Sequence, residues 1–385
     1  MLVVAVLTLA LLALAPASAS ASKLESFELP SALVDTSSPG GQLPSDRSVP
    51  KVNVLLPDGY KQRGKSRYPV LWLLHGAYGG ADNWLSSHNN VRKLAAGLPA
   101  IVVMPDGGMF GMYTDWWNRG LRGDPAWATY HLSVLRQTIE RRFRIRPQRR
   151  WHAIAGISMG GGGTLRYAAM LPGYFGTAVA MSAAFPDMQS DIAEPGLDGL
   201  PAHTSADGVY HSIFGERRGF YAEGNSPQAL APNFGHTRVY LTSGNGTNCP
   251  GDPQTSTFAL DTATEIVINA QQGPFAAAIR AEGADVTTKT TCGVHTFGVW
   301  DRAFAAARKW GLFKPLPERP RSWTYRTVAT AGEMWGLRFR FAKPPATVAE
   351  FHRSGSRLTA TGRGTVRICG RRAKLPFKRS IHDCI

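Results

Sequence analysis

The sequence predicts an α/β protein, a mostly parallel and doubly wound sheet, followed by a small C-terminal β domain. Three observations carry this. Near-continuous apolar runs, clearest at residues 68–74 and 100–104, read as strands buried on both faces of a parallel sheet. These runs alternate along the chain with segments of helical period. Beyond residue 321 the period becomes two, as in Leu337-Arg338-Phe339-Arg340-Phe341. With 385 residues, 43% hydrophobic and 18% charged, the chain can bury a sizeable core and is not broadly disordered.

The elements follow in order. Residues 2–15 are an apolar run ended by Pro16 and the small-residue string Ala17-Ser18-Ala19-Ser20-Ala21. This is the form of an export signal spanning residues 1–21, too short for a membrane span, although no Lys or Arg precedes it. Residues 22–47 are rich in Ser, Pro and Gly and read as a loose leader. The main domain is expected over 48–314. An edge strand at 49–56 ends in the turn Pro57-Asp58-Gly59. The two buried strands follow, the first leading into His75-Gly76-Ala77-Tyr78 and the second into Pro105-Asp106-Gly107-Gly108. A helix is expected over 126–142, then a strand at 151–156 and a helix at 163–171. Further strands are expected at 179–182, 239–243 and 286–290. A helix over 258–282 should break near Gly273-Pro274, and a last helix spans 300–310.

Residues 315–321, Pro-Leu-Pro-Glu-Arg-Pro-Arg, carry a linker signal, and 322–385 form the β-rich tail. The charge is concentrated there. The whole chain carries 43 Lys and Arg against 27 Asp and Glu, and residues 316–385 alone carry 15 against 4. Such a tail favours an anionic envelope polymer or lipid as a partner. No base-reading motif is present, so nucleic acid is not expected. Four cysteines in an exported chain imply disulfides. Proximity in sequence suggests Cys249 with Cys292 and Cys369 with Cys384, among three pairings. No spacing suits a metal site, and no metal or organic cofactor is expected.

The chemistry concentrates at Ser158. Gly156-Ile157-Ser158-Met159-Gly160 places a serine between a predicted strand and a predicted helix. That spacing suits a sharp strand-to-helix turn that lifts the hydroxyl above the carboxyl edge of the sheet. A serine hydroxyl needs a base to take its proton. His295 follows the last strand, where such a base is expected, whereas His75 reads as loop-shaping and His152 as a packed core residue. The acid that orients the imidazole lies between the two, and Asp252, Asp261 and Glu265 are candidates that spacing alone does not separate. Two backbone N–H groups should bind the carbonyl oxygen: that of Met159 and that of Ala77.

Taken with His75-Gly76-Ala77, Tyr113-Thr114-Asp115-Trp116-Trp117 and Gly244-Asn245-Gly246, these motifs resemble the putative-esterase family of α/β-hydrolases. That family includes esterase D, feruloyl esterases and the antigen 85 mycolyltransferases, and the resemblance covers roughly 48–312. It implies an α/β-hydrolase fold with Ser158 as nucleophile and His295 as base. It favours Glu265 over Asp261 as acid, because Glu265, Phe275 and Gly283 reproduce the family register. It places the second oxyanion donor on Ala77 and makes Asp115, Trp116 and Trp117 candidates for the substrate mouth. The antigen 85 enzymes carry Asp-Gly-Leu-Arg, which helps hold trehalose, where this chain has His75-Gly76-Ala77-Tyr78.

The implied function is that of a secreted or envelope-associated serine esterase working through an acyl-enzyme on envelope lipid or sugar esters. An antigen 85-type acyltransferase is the nearest alternative. A catalytically inactive envelope-binding protein is the alternative of another class.

Overall fold

The computed structural model describes residues 22–385 except 88–89, 200–208, 253–254 and 256. The expected export signal lies outside the described residues. The centre is an eight-stranded sheet built from β1 (Lys23–Glu28), β2 (Lys51–Leu56), β3 (Val70–Leu74), β4 (Ile101–Pro105), β5 (His152–Ile157), β6 (Thr177–Met181), β7 (Arg238–Gly244) and β8 (Asp285–Thr291). Their order is β1-β2-β4-β3-β5-β6-β7-β8. The first two strands are antiparallel to their neighbours, and β3 to β8 are parallel.

Strand alternation splits the core into two layers. Val70, Trp72 and Leu74 of β3 face one side, with α2 (Met159–Met170) and the buried Phe275 and Ile279 of α3 (Phe258–Ala281). Leu71 and Leu73 face the other, with Val299, Phe304 and Ala307 of α4 (Phe297–Trp310). Ahead of these, the helix expected at 126–142 forms as a short turn, a π-helical segment over Tyr130–Leu135 and α1 (Arg136–Arg142).

Two expectations are corrected. Residues 22–47 are not a loose leader: β1 pairs with β2 along its whole length, and Val34 and Leu43 are buried against Trp127 and Tyr130. Arg47 also makes a two-pronged ion pair with the buried Asp106 at 2.7 and 2.8 Å. The Ser, Pro and Gly residues serve turns between these anchors. Second, α3 runs through Pro274 without breaking. The lost backbone bond is offset by burial of Phe275 and Ala276 immediately beyond it. The linker at 315–321 is held against the main domain, because the Arg149 guanidinium donates to the Pro317 carbonyl at 2.8 Å and the Arg149 N–H to Glu318 at 2.8 Å.

The tail comprises β9 (Ser322–Thr327), β10 (Ala331–Met334), β11 (Leu337–Phe341), β12 (Ala349–Ser354), β13 (Arg357–Thr361), β14 (Thr365–Ile368), β15 (Arg371–Lys374) and β16 (Phe377–Ser380). They form two antiparallel sheets, β10-β11-β14-β15 and β16-β13-β12-β9, around Tyr325, Trp335, Phe339, Phe351 and Leu358. Cys369–Cys384 closes the tail. It docks on the main domain through polar anchors. Tyr325 donates to the Met170 carbonyl at 2.8 Å, Asn233 bonds the backbone of Arg326 in both directions, and Arg136 pairs with Glu333 at 3.2 Å.

Two buried imidazoles set the acid limit of this fold. His131 bonds Tyr167 Oη and the Asp106 carbonyl, each at 2.7 Å, and His152 bonds the Arg146 carbonyl at 2.6 Å. Burial disfavours their charged forms and lowers them to about 3 and about 4. An unfolded histidine takes a proton near pH 6.5, which these two refuse while folded. Their stabilising effect is therefore complete above pH 6.5 and is lost as pH falls toward 4 and below. Unfolding titrations should give a stability on the order of 4 kcal/mol lower at pH 5 than at pH 7. An unchanged midpoint across that interval would contradict the account.

Candidate active site

The turn after β5 forces Ser158 to φ 53°, ψ −119°, outside the regions open to ordinary residues. Such a conformation costs about 1–3 kcal/mol and persists only if its surroundings hold it. Three backbone bonds do so. The Ser158 N–H donates to the Met181 carbonyl at 3.0 Å, and its own carbonyl accepts from the N–H groups of Gly162 and Ala184, each at 3.0 Å. The flanking glycines are required by space. A Cβ at Gly156 would stand 2.2 Å from the Gly160 carbonyl oxygen, and one at Gly160 would stand 2.4 Å from the His75 carbonyl oxygen.

The bend brings three side chains into line. His295 Nε2 lies 2.9 Å from Ser158 Oγ, and His295 Nδ1 lies 2.7 Å from Glu265 Oε2. A carboxylate only accepts, so Nδ1 carries the proton and Nε2 presents its lone pair to the serine O–H. Glu265 is fully buried. Its Oε1 accepts from Ser182 Oγ at 2.7 Å and from the Gly244 N–H. Of the other acid candidates, Asp261 accepts from Thr255 and Thr257 at 2.6 and 2.8 Å near the start of α3, and only its carbonyl reaches the His295 N–H. Asp252 pairs with Arg302. Neither carboxylate touches the imidazole.

The loop carrying His295 is tied at both sides. Cys249–Cys292 joins it to the segment after β7. The Gly293 N–H donates to the Thr247 carbonyl, and the Gly246 N–H to the Gly293 carbonyl at 2.9 Å.

Met159 begins α2, so its N–H has no intrahelical acceptor. Ala77 lies on the loop after β3, and Gly76 packs directly against Ser158, where a Cβ would be 3.5 Å from the serine Cβ. Among the described residues neither N–H donates to a backbone group. His75 shapes that loop. It is buried, its Nδ1 donates to the Gly76 carbonyl at 2.7 Å and its Nε2 accepts from the Gly107 N–H at 2.9 Å. Burial lowers its pKa, which keeps this neutral arrangement.

Asp115, Trp116 and Trp117, the expected mouth residues, each have partners within the fold. Asp115 accepts from the N–H and hydroxyl of Thr129 at 2.9 and 2.6 Å. Trp116 is buried and donates to the Gly111 carbonyl at 3.2 Å. Trp117 meets Phe220 edge-on and packs against Tyr221 and the Arg122 guanidinium.

Two contributors were not legible in the sequence. Ser182, at φ 45°, follows β6 and accepts from Trp300 Nε1 at 3.1 Å while donating to Glu265. Trp300 meets the His295 ring edge-on at 5.1 Å. Only their places were a signal, one at a strand end and one a turn beyond His295. Removing the Ser182 hydroxyl frees the buried carboxylate to shift. Ser182→Ala should lower kcat about tenfold to a hundredfold with little change in KM, the effect of losing one bond to a charged group. Steady-state kinetics on an activated ester would measure this.

The family model described as "Putative esterase" matches residues 23–310. The chain belongs to that family. Among its relatives, Esterase Rv1288 of Mycobacterium tuberculosis is 44% identical over 135 residues, which are 34% of this chain and 29% of that protein. The MPT51/MPB51 antigen of Mycobacterium tuberculosis is 30% identical over 150 residues, 36% of this chain and 47% of that one. These matches span less than half the length of either relative. The solved structure of MPT51 (FbpC1) covers 76% of this chain and 99% of its own at a TM-score of 0.56 and 20% identity. An S-formylglutathione hydrolase from Agrobacterium tumefaciens covers 78% and 98% at 0.55 and 18%. At these identities the likeness is one of fold, and it gives this esterase-family chain the α/β-hydrolase fold. The family match begins at β1 and ends with α4, so the tail lies outside it. Among the described residues no helix is long and apolar enough to cross a membrane.

Proposed function

We propose that the protein is an exported serine esterase in which Ser158, His295 and Glu265 act as a triad. The observation that carries this is the unbroken hydrogen-bonded line from the strained serine through the imidazole to a buried carboxylate. Ser158 Oγ attacks the ester carbonyl carbon as its proton passes to His295 Nε2. The carbonyl oxygen gains negative charge and is met by the N–H groups of Ala77 and Met159, assisted by the start of α2. His295 then returns the proton to the departing alcohol, leaving an acyl-enzyme. Water attacks that acyl group with His295 again as base, and the acid leaves. Glu265 holds the imidazole in place and stabilises the imidazolium. Export is supported by the apolar run at 2–15 with its small-residue end and by the two disulfides, which persist in oxidising compartments.

Hydrolysis is favoured over transfer to a sugar by the loop after β3. Its first residue, His75, is buried and committed to backbone contacts, so it has no free polar group to offer an acceptor. A panel of p-nitrophenyl and glycerol esters of graded acyl length, with and without added trehalose, tests this. Free acid should be the main product and trehalose should not raise turnover. Accumulation of acylated trehalose would contradict the hydrolytic reading.

A further inference from the structure

The basic excess of the tail is not spread evenly over its two sheets. In β11, β14 and β15 inward apolar residues alternate with outward cations. Phe339, Val366, Ile368 and Ala373 are buried, while Arg338, Arg340, Arg367, Arg372 and Lys374 are exposed. The register places Arg340 directly opposite Arg367, and Arg367 directly opposite Arg372. Three arginines therefore leave the same face of successive strands, whose backbones lie about 4.8 Å apart. Like charges directly opposite one another destabilise a sheet. Among the described residues no carboxylate pairs with any of the three, and the Glu333 carboxylate at the edge strand goes to Arg136 and Arg338. The corresponding outward row of the other sheet runs Thr324–His352–Thr359–Lys378, with a single Lys.

We propose that the outer face of β10-β11-β14-β15 is a docking surface for a linear anionic glycan with a carboxylate on each sugar ring. The polymer runs across the strands along the Arg340–Arg367–Arg372 row. A sugar ring is about as long as the strand spacing, so a polymer laid across the strands brings several carboxylates within reach of the row. Each guanidinium offers a planar fork that matches a carboxylate in two-pronged fashion. The bound polymer relieves the like-charge repulsion that the free sheet carries. A lipid surface fits the face less well, because binding in an interface uses apolar side chains as well as cations. Every large apolar side chain that is exposed among the described residues lies before residue 268, so none belongs to the tail. The inference is independent of the catalytic reading: loss of either leaves the other measurable.

The test uses the full chain and immobilised polygalacturonate, with phosphatidylglycerol vesicles as the competing surface. The wild type should bind the polymer, more weakly as salt rises. The triple variant Arg340→Gln, Arg367→Gln, Arg372→Gln should bind about tenfold or more weakly. A control that removes the same charge from the other sheet, Arg357→Gln, Lys378→Gln, Arg379→Gln, should stay within about twofold of wild type, and ester turnover should be unchanged in both. If the triple variant fails to fold, Arg367→Gln alone, at the centre of the row, should still weaken binding more than Lys378→Gln does. Equal losses in the two triple variants, tighter binding to the vesicles than to the polymer, or no binding by the wild type would each overturn the proposal.

Discussion

Ser158→Ala is expected to lower ester turnover by about 10⁶-fold, to the level that binding and the oxyanion donors alone sustain. The replacement removes the attacking oxygen and leaves the bend in place, since the three backbone bonds at residue 158 do not involve the side chain. The folded state should therefore survive, with an unfolding midpoint close to wild type. Ser158→Gly separates the two roles of the position further. Glycine relieves the positive φ of 53° that serine bears, so the variant should be inactive yet more stable by about 1 kcal/mol. A Ser158→Gly protein that is less stable than wild type would argue against stored strain at this turn.

Glu265→Gln is the second large effect. The buried carboxylate accepts from three donors: His295 Nδ1, Ser182 Oγ and the Gly244 N–H. An amide of the same shape has one accepting oxygen and an NH₂ that must face one of those donors. The outcome is either an orphaned buried donor or an imidazole turned to the wrong tautomer, with Nε2–H directed at the serine. The loss in kcat should be about 10⁴-fold with KM little altered. Asp261→Asn serves as the contrast. Among the described residues its carboxylate accepts from Thr255 and Thr257 and not from the imidazole, so activity should remain within a few-fold of wild type. If Asp261→Asn proves the more damaging of the two, the assignment of the acid is wrong.

The parts of this molecule that were legible in the sequence are those where chemistry or burial leaves few options. Val70, Trp72 and Leu74 alternate with Leu71 and Leu73, and both sets are buried because helices cover both faces of the sheet. Gly156 and Gly160 are legible for a related reason, since backbone atoms stand where a side chain would begin. The acid was harder. Asp252, Asp261 and Glu265 are alike as letters, and only the path of α3 past the end of β7 brings Glu265 to the imidazole. Composition misled at 22–47, where a few anchors such as Val34, Leu43 and Arg47 outweigh a loop-like background. Ser182 and Trp300 could not have been found from spacing, for their role depends on three chain segments meeting around one carboxylate.

The most direct measurement of the central claim is the site of acylation. Wild-type protein would be mixed with a slowly deacylating ester, quenched in acid during turnover and mapped by peptide mass spectrometry. One acyl adduct is expected, on Ser158, appearing no more slowly than the alcohol product and absent from Glu265→Gln on the same timescale. An adduct on another residue, or steady turnover with no adduct at Ser158, would contradict it.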